Sequence, residues 1–494
     1  ISAFHDARAS AHGPSLYQWC VDCGIGPVKP GDFPPLRLYR AYLRWAADRI
    51  TATAGPGVRV VVHREPATAV RPAADGGGES VVLADGTLLR VDAVLPTASR
   101  HLFHPPLAPG AGSAPEPRTR PLHLAYRSVG ANERVAVLGL GLTALSVLAE
   151  LTTGRGGRFA FDGSVARYLP SGREPAVVLT VRAGGLPRTR PVSPPGRKVP
   201  APLVFTSARL ARHRRNRPGG RLSLMDDVLP DLEAELDLAY YRSLLASGPA
   251  GTEAVQREFV ARIAASGHRR LLDELAAAHG GSPVHAVLSR GDEMPVWADE
   301  RAYADWFTAE TAGDLRAALT GLGTDPVKDA LEVLHDHRRL LRGLLEGPGL
   351  DEESMARFHG TFVPAVNRLV VGADPGRTVE LLALLASGVV RLGPGPQPLL
   401  REDCDAQVWQ LESRRLAARA SVTVDRIVLP RIAQTPAGTV GDPLLSLPSG
   451  AGTGWLPEPP SASSPGRADS SRMGEIWKPR PSSSPNAHTP APGI

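Results

Sequence analysis

Two groupings of residues in this 494-residue chain have the types and spacing to do chemistry, and a third only resembles one that does. The first is Gly139-x-Gly141-x-x-Ala144. In such a run the first glycine turns the chain sharply and the second lets a pyrophosphate reach the backbone. The small third residue lets a helix pack close to a sheet. Gly139, Leu140, Gly141, Leu142, Thr143 and Ala144 are therefore the candidate cofactor-binding residues, with a bare βα turn that binds nothing as the alternative. The second grouping, Cys20-x-x-Cys23, has the spacing of a redox dithiol, but Asp22 between the thiols disfavours a thiolate. The third is His335-Asp336-His337. On a helix, residues i and i+2 point roughly 200° apart, so the two imidazoles cannot share a metal and read as surface groups.

The elements around the glycine turn decide its meaning. Arg134 to Leu138 is a short apolar strand running straight into Gly139, a helix follows to about Leu151, and Ala176 to Val181 is a second strand. Strand, turn, helix and strand make a βαβ unit with a parallel sheet. An NAD site commonly places a carboxylate at the end of the second strand, for the ribose hydroxyl. Here that position holds Arg182, with Arg188 and Arg190 close behind, and arginine suits the 2′-phosphate of NADP. NADP is thus favoured over NAD, unless Arg182 simply points to solvent.

Upstream, Ser15 to Ile50 is helical in pattern, broken at Pro34-Pro35. Val58–His63, Ser80–Leu83, Thr87–Val91 and Ala93–Leu95 read as strands, with a tight turn at Asp85-Gly86. Downstream, apolar repeats predict helices over Asp227–Leu245, Glu253–Ala278, Arg301–Leu319, Pro326–Leu345 and Arg377–Ala386. Val422–Leu429 alternates and reads as one late strand. Tyr240, Tyr241, Trp297, Trp306 and Phe307 read as packing groups.

Composition sets outer bounds. Four of the 56 basic residues are lysine, the skew of a GC-rich genome, so the net charge of +6 is no argument for a nucleic-acid partner. The run Arg212–Arg217 lacks interleaved aromatics and reads as a solvated loop. Three cysteines fit a reducing cytoplasm, and no apolar run approaches the roughly 18 residues of a membrane span. From Leu447 to Ile494 there are ten prolines and nine serines without apolar periodicity, a composition that reads as disordered.

Several segments together resemble the bacterial FAD/NAD(P)-binding family of flavin-dependent oxidoreductases, distantly similar to flavin-dependent monooxygenases. They are Gly13–Trp19 with Gly31–Pro35 and Tyr39–Trp45; Val135–Ala144 with Leu151–Phe159; Tyr168–Pro175 with Arg182–Pro187; Trp306–Leu345; and Pro364-x-x-Asn367. The resemblance implies two cofactors, FAD and NADP or NAD, and hydride transfer from NADPH to flavin. It implies an α/β fold in which a Rossmann-type NAD(P)-binding unit is inserted in a partial FAD-binding domain, with a mostly helical cap and a disordered C-terminal tail.

On this reading residues 1–103 are the partial FAD-binding domain, its first glycine fingerprint missing, and 104–121 a linker. Residues 122–203 are the NAD(P) unit, 204–400 the helical region, 401–446 a return to the FAD/NAD(P) domain and 447–494 the tail. Thr97-Ala98-Ser99-Arg100-His101 stands where the family has a Thr-Gly step against FAD. The alternatives are a catalytically inactive, truncated nucleotide-binding remnant and a flavin-linked dithiol oxidoreductase using Cys20 and Cys23. No general acid or base, and no small-molecule substrate, is legible.

Overall fold

In a computed structural model, residues 13–94 and 128–430 are described, apart from 27, 30–32, 35, 56, 73–76, 163–164, 182–185, 195, 247, 290–293, 404–405 and 429. The expectations for the 104–121 linker, for Leu95–His101, for Arg182 and for the tail all fall outside these residues.

The first unit begins with α1 (Leu16–Asp22), capped by the Ser15 side chain on the amide of Gln18, and α2 (Leu36–Ala52). Leu16, Trp19 and Cys20 of α1 bury against Tyr42 of α2, whose hydroxyl donates to the Pro14 carbonyl. An antiparallel sheet follows, β1 (Ala67–Pro72), β2 (Glu79–Leu83) and β3 (Leu88–Val91) in that order, with β2 and β3 joined through the Asp85-Gly86 turn. One expected strand is absent, and another lies partly outside the described residues. Val58–His63 is irregular and its valines are exposed, Val62 at 80%. Ala93 and Val94 are irregular too. High β-propensity does not make a strand without a neighbour to pair with.

The central sheet is parallel, in the order β12 (Arg426–Val428), β4 (Arg134–Leu138), β7 (Ala176–Thr180), β8 (Val390–Leu392). Helix α3 (Leu142–Leu151) follows β4 directly. The βαβ reading of 134–180 therefore holds, with one addition. The excursion between α3 and β7 carries a two-stranded hairpin, β5 (Arg158–Asp162) and β6 (Val165–Leu169). Val135, Val137, Val177 and Leu179 on one face share a core with α3. Ala136, Leu138 and Val178 on the other face meet an antiparallel sheet of β9 (Leu399–Asp403), β10 (Val408–Glu412) and β11 (Ser421–Val424). The late strand expected over Val422–Leu429 is thus two strands in two sheets, parted at Asp425. The Asp425 carboxylate accepts from the Arg134 amide and fixes the hand-over from one sheet to the other.

Between β7 and β8 lies a long helical region. It contains α4 (Ser207–Arg215), α5 (Leu229–Leu245), α6 (Gly248–Ser266), α7 (His268–His279), α8 (Val284–Ser289), α9 (Glu300–Thr320), α10 (Pro326–Asp336), α11 (Arg338–Gly343), α12 (Glu352–Arg357), α13 (Val363–Val370) and α14 (Pro375–Ser387). Aspartate caps recur at their starts, Asp299, Asp325, Asp351 and Asp374 each accepting from an amide three residues on. The basic run Arg212–Arg217 is mostly helix rather than loop. His213 and Arg209 meet Asp231, and Arg217 meets Asp227.

On α8, His285 bonds Asp237 of α5 at 2.9 Å. That hydrogen bond, with the opposite charge, outweighs burial and raises the imidazole above its ordinary 6.5. The folded state therefore holds this proton more tightly than the unfolded chain. The resulting stability is complete below the unfolded pKa and is lost as pH rises through the folded one. As pH rises above the ordinary 6.5 of an imidazole the melting temperature should fall, and His285→Gln should flatten that part of the slope. An unchanged slope would rule the pair out as its source.

Candidate functional site

At the glycine turn, the strand and helix leave the backbone bare. The Gly139 amide donates to the Thr180 carbonyl at 2.8 Å, which ties the turn to the end of β7. Gly139 has φ +127°, a conformation side-chain-bearing residues rarely adopt. Gly141 caps α3 without any side-chain bond, and a Cβ built on it meets nothing within 4 Å. The first helical bond runs from the Leu145 amide to the Gly141 carbonyl. The amides of Leu142, Thr143 and Ala144 therefore have no intrahelical acceptor and lie at the positive end of the helix. Ala144 is fully buried against the sheet, as its place in the motif requires. The Thr180 hydroxyl, at the tip of β7, is buried and has no hydrogen-bond partner among the described residues. Open space, free amides and helix polarity together fit a dinucleotide pyrophosphate. The FAD contacts expected near residues 97–101 lie outside the described residues, as does Arg182.

Six residues beyond Thr180 the chain enters a cleft of about 300 Å³. Its walls are Leu186, Pro187 and Arg188 on one side and Trp306, Glu310 and Thr311 of α9 on the other, with Met294 and Arg368 closing it. Leu186 and Trp306 pack against the same core as Leu140 of the glycine turn. Trp306, expected as packing, is thus half core and half cleft wall.

Arg188 and Arg190 do not sit together at the strand end. The Arg188 Nη1 donates to Asp314 at 2.9 Å. Asp314 also accepts from Lys328 Nζ at 2.7 Å and from the Thr189 amide at 2.6 Å. Burial alone would raise the Asp314 carboxyl, but Lys328 and Arg188 beside it outweigh burial and hold it below the usual range. Arg190 forks onto both oxygens of Glu332 at 2.9 Å each, a bidentate geometry that spends the guanidinium on structure. Arg197 forks onto Asp336 in the same way. The segment ends with Glu235 accepting three amides, from Leu203, Val204 and Phe205. Residues 188–205 are thus a strap tying the parallel sheet to the helical region. Arginine 190 belongs to that strap, not to a nucleotide.

The histidine pair is not a surface feature throughout. His337 is 9% exposed, and His335 bonds Glu332 at 3.0 Å. Glu332, His335 and Asp336 could meet one ion, yet arginines already engage both carboxylates. Glu174 holds its loop through the Tyr168 hydroxyl and the Ser171 amide. Cys20 is buried on α1, and Cys23, just past its end, is exposed. Burial, with Cys23 beside it, pushes the Cys20 thiol up, the opposite of what a nucleophilic dithiol needs.

Comparison with known proteins bears on the chain as a whole and on its first segment. Residues 1–99 match the FAD-NAD(P)-binding family. This chain is a monooxygenase-like FAD/NAD(P)-binding flavoprotein. Its cofactors are FAD and NAD(P)H. It is 29% identical over 488 residues to an L-aspartate N-monooxygenase (nitrosuccinate-forming) of Streptomyces davaonensis, with 90% of this chain and 74% of that one covered. It is 28% identical over 469 residues to the enzyme of the same name from Streptomyces cremeus, covering 88% and 70%. It is 29% identical over 438 residues to the nitrosuccinic acid synthase of Aspergillus oryzae, with 84% of this chain but only 65% of that protein covered. No helix among the described residues is long and apolar enough to cross a membrane.

Proposed function

We propose that this flavoprotein is an N-monooxygenase that oxidises the amino group of L-aspartate or a close acidic relative. The observation that carries the reading is the likeness to three proteins whose names specify nitrosuccinate or its formation from L-aspartate, and the open glycine turn before α3 supports it. In each oxygenation one oxygen atom joins the substrate nitrogen and the other leaves as water, with two electrons drawn from NAD(P)H. FAD, when bound, supplies the centre that passes those electrons to oxygen. The chain's own part is to hold the nucleotide phosphates on the Leu142–Ala144 amides and to keep α3 pressed to the sheet through Ala144.

The test uses the full chain supplied with FAD, NADPH and air. L-Aspartate should raise NADPH oxidation, and mass spectrometry should find an N-oxygenated product. NADPH consumption indifferent to L-aspartate, with no such product, would remove the substrate assignment. A chain that binds neither flavin nor NADPH would instead be the inactive remnant.

A further inference from the structure

The cleft lined by Arg188, Trp306 and Glu310 opens beyond the end of β7. Its position along the fold is informative. In an open parallel sheet a dinucleotide lies across the carboxyl ends of the strands, with its pyrophosphate at the first turn and its adenosine toward the end of the next strand. Here β4 carries the turn, β7 is the next strand, and the cleft opens from the segment that leaves β7. Leu140, Leu186 and Trp306 pack against one core, and Leu186 lies six residues beyond Thr180, whose carbonyl holds the Gly139 amide.

The lining groups have a definite chemistry. Arg188 has one guanidinium nitrogen on Asp314 at 2.9 Å, the only side-chain bond it makes among the described residues. With Nη1 held, its remaining donors are oriented and still available to an anion. Lys328 sits behind Asp314 and neutralises it, so Asp314 does not cancel Arg188. The charged lining is balanced, Arg188 and Arg368 against Glu310 and Asp314, and the ion pair of Asp314 with the buried Lys328 behind it tips the balance positive. Trp306 offers an aromatic wall, with Met294, Pro295 and Leu186 completing an apolar lining. Glu310 lines the same helix face, one turn from Trp306, and forms no side-chain ion pair or hydrogen bond among the described residues. A volume of about 300 Å³ is more than a four-carbon amino acid fills and suits a nucleoside.

We propose that this cleft takes the 2′-phosphorylated adenosine of NADPH. Arg188 holds the 2′-phosphate, Trp306 lies against the purine, and Glu310 accepts from its amino group. The proposal rests on the NADPH-consuming reading above and deepens it. It assigns cofactor choice to a residue of the strap, locked by α9 and α10, rather than to the strand end.

The probe is 2′,5′-ADP set against 5′-ADP, titrated into the full chain and followed by tryptophan fluorescence and calorimetry. 2′,5′-ADP should bind about tenfold or more tightly than 5′-ADP, the worth of a charge-assisted contact. Arg188→Met should erase that difference while leaving 5′-ADP within about twofold. Glu310→Gln should weaken both nucleotides by a similar factor. Because Arg188 also serves the strap, circular dichroism checks that its variant folds; if it does not, Glu310→Gln and Trp306→Phe decide alone. Equal affinity of the wild type for both nucleotides would overturn the proposal, as would an unchanged preference in Arg188→Met. So would Glu310→Gln and Trp306→Phe that bind both nucleotides like wild type. Displacement of 2′,5′-ADP by L-aspartate would overturn it too, making the cleft the amino-acid site. If 5′-ADP binds and L-aspartate stimulates NADPH oxidation, the functional reading survives any of these failures. If no nucleotide binds at all, both fall.

Discussion

Gly141→Val should lower NADPH affinity by about a hundredfold or more while costing the fold less than about 1 kcal/mol. The asymmetry follows from two facts about one residue. Gly141 has φ −85°, which any residue adopts, and a Cβ there meets no protein atom within 4 Å. A valine is therefore accommodated by the chain, at most weakening the start of α3 as a poor N-cap. The space it fills is the approach of the pyrophosphate to the Leu142–Ala144 amides, and branched carbons there hold the phosphates off the helix end. Gly139 gives no such separation. At φ +127° a side chain strains the turn itself, so a loss of binding would be confounded with a loss of structure. Calorimetric titration of NADPH, paired with thermal melting, reads both quantities. An unchanged dissociation constant would mean that the nucleotide does not use this turn.

That turn was legible from the amino-acid order because everything it needs is local. The apolar strand, two glycines, Ala144 and the helix lie within eighteen consecutive positions, Arg134 to Leu151. The helices were legible for the same reason, since periodicity and aspartate caps are short-range signals. What could not be read is what distance in sequence conceals. Arg188 and Arg190 looked alike in the sequence, but Glu332, 142 positions away, engages Arg190 bidentately, while Asp314, 126 positions away, holds one nitrogen of Arg188. Val58–His63 has the composition of a strand, yet pairing is a property of two segments, and no described strand pairs with it. The β9–β11 sheet was missed because Leu399–Asp403 alternates weakly and is mostly exposed. The cleft left one faint trace. Trp306, Glu310 and Asp314 recur every four residues, placing an aromatic and two carboxylates on one stripe of α9. Nothing in that stripe shows that Arg188 stands opposite.

The strap's buried charges make the second large expectation, a loss of about 3–5 kcal/mol on Asp314→Ala. Lys328 is 5% exposed and reaches two acceptors, Asp314 Oδ1 at 2.7 Å and the Thr189 carbonyl at 2.9 Å. Removing Asp314 leaves an ammonium in the interior with one neutral partner and strands the Thr189 amide that the carboxylate also served. Arg188, at 21% side-chain exposure, can turn outward and suffers less. A loss of that size is a large part of the 5–15 kcal/mol that keeps a typical domain folded. If the uncompensated charge is the cause, Asp314→Leu combined with Lys328→Met should recover most of the loss, since no buried ion then remains. Urea denaturation of the single and double variants makes the comparison. A single variant within about 1 kcal/mol of wild type would show that water reaches Lys328 and that the strap is wetter than its distances indicate. The double variant also separates stability from specificity. It restores the fold yet removes the carboxylate that orients Arg188, so its preference for 2′,5′-ADP over 5′-ADP should shrink even as its urea midpoint returns.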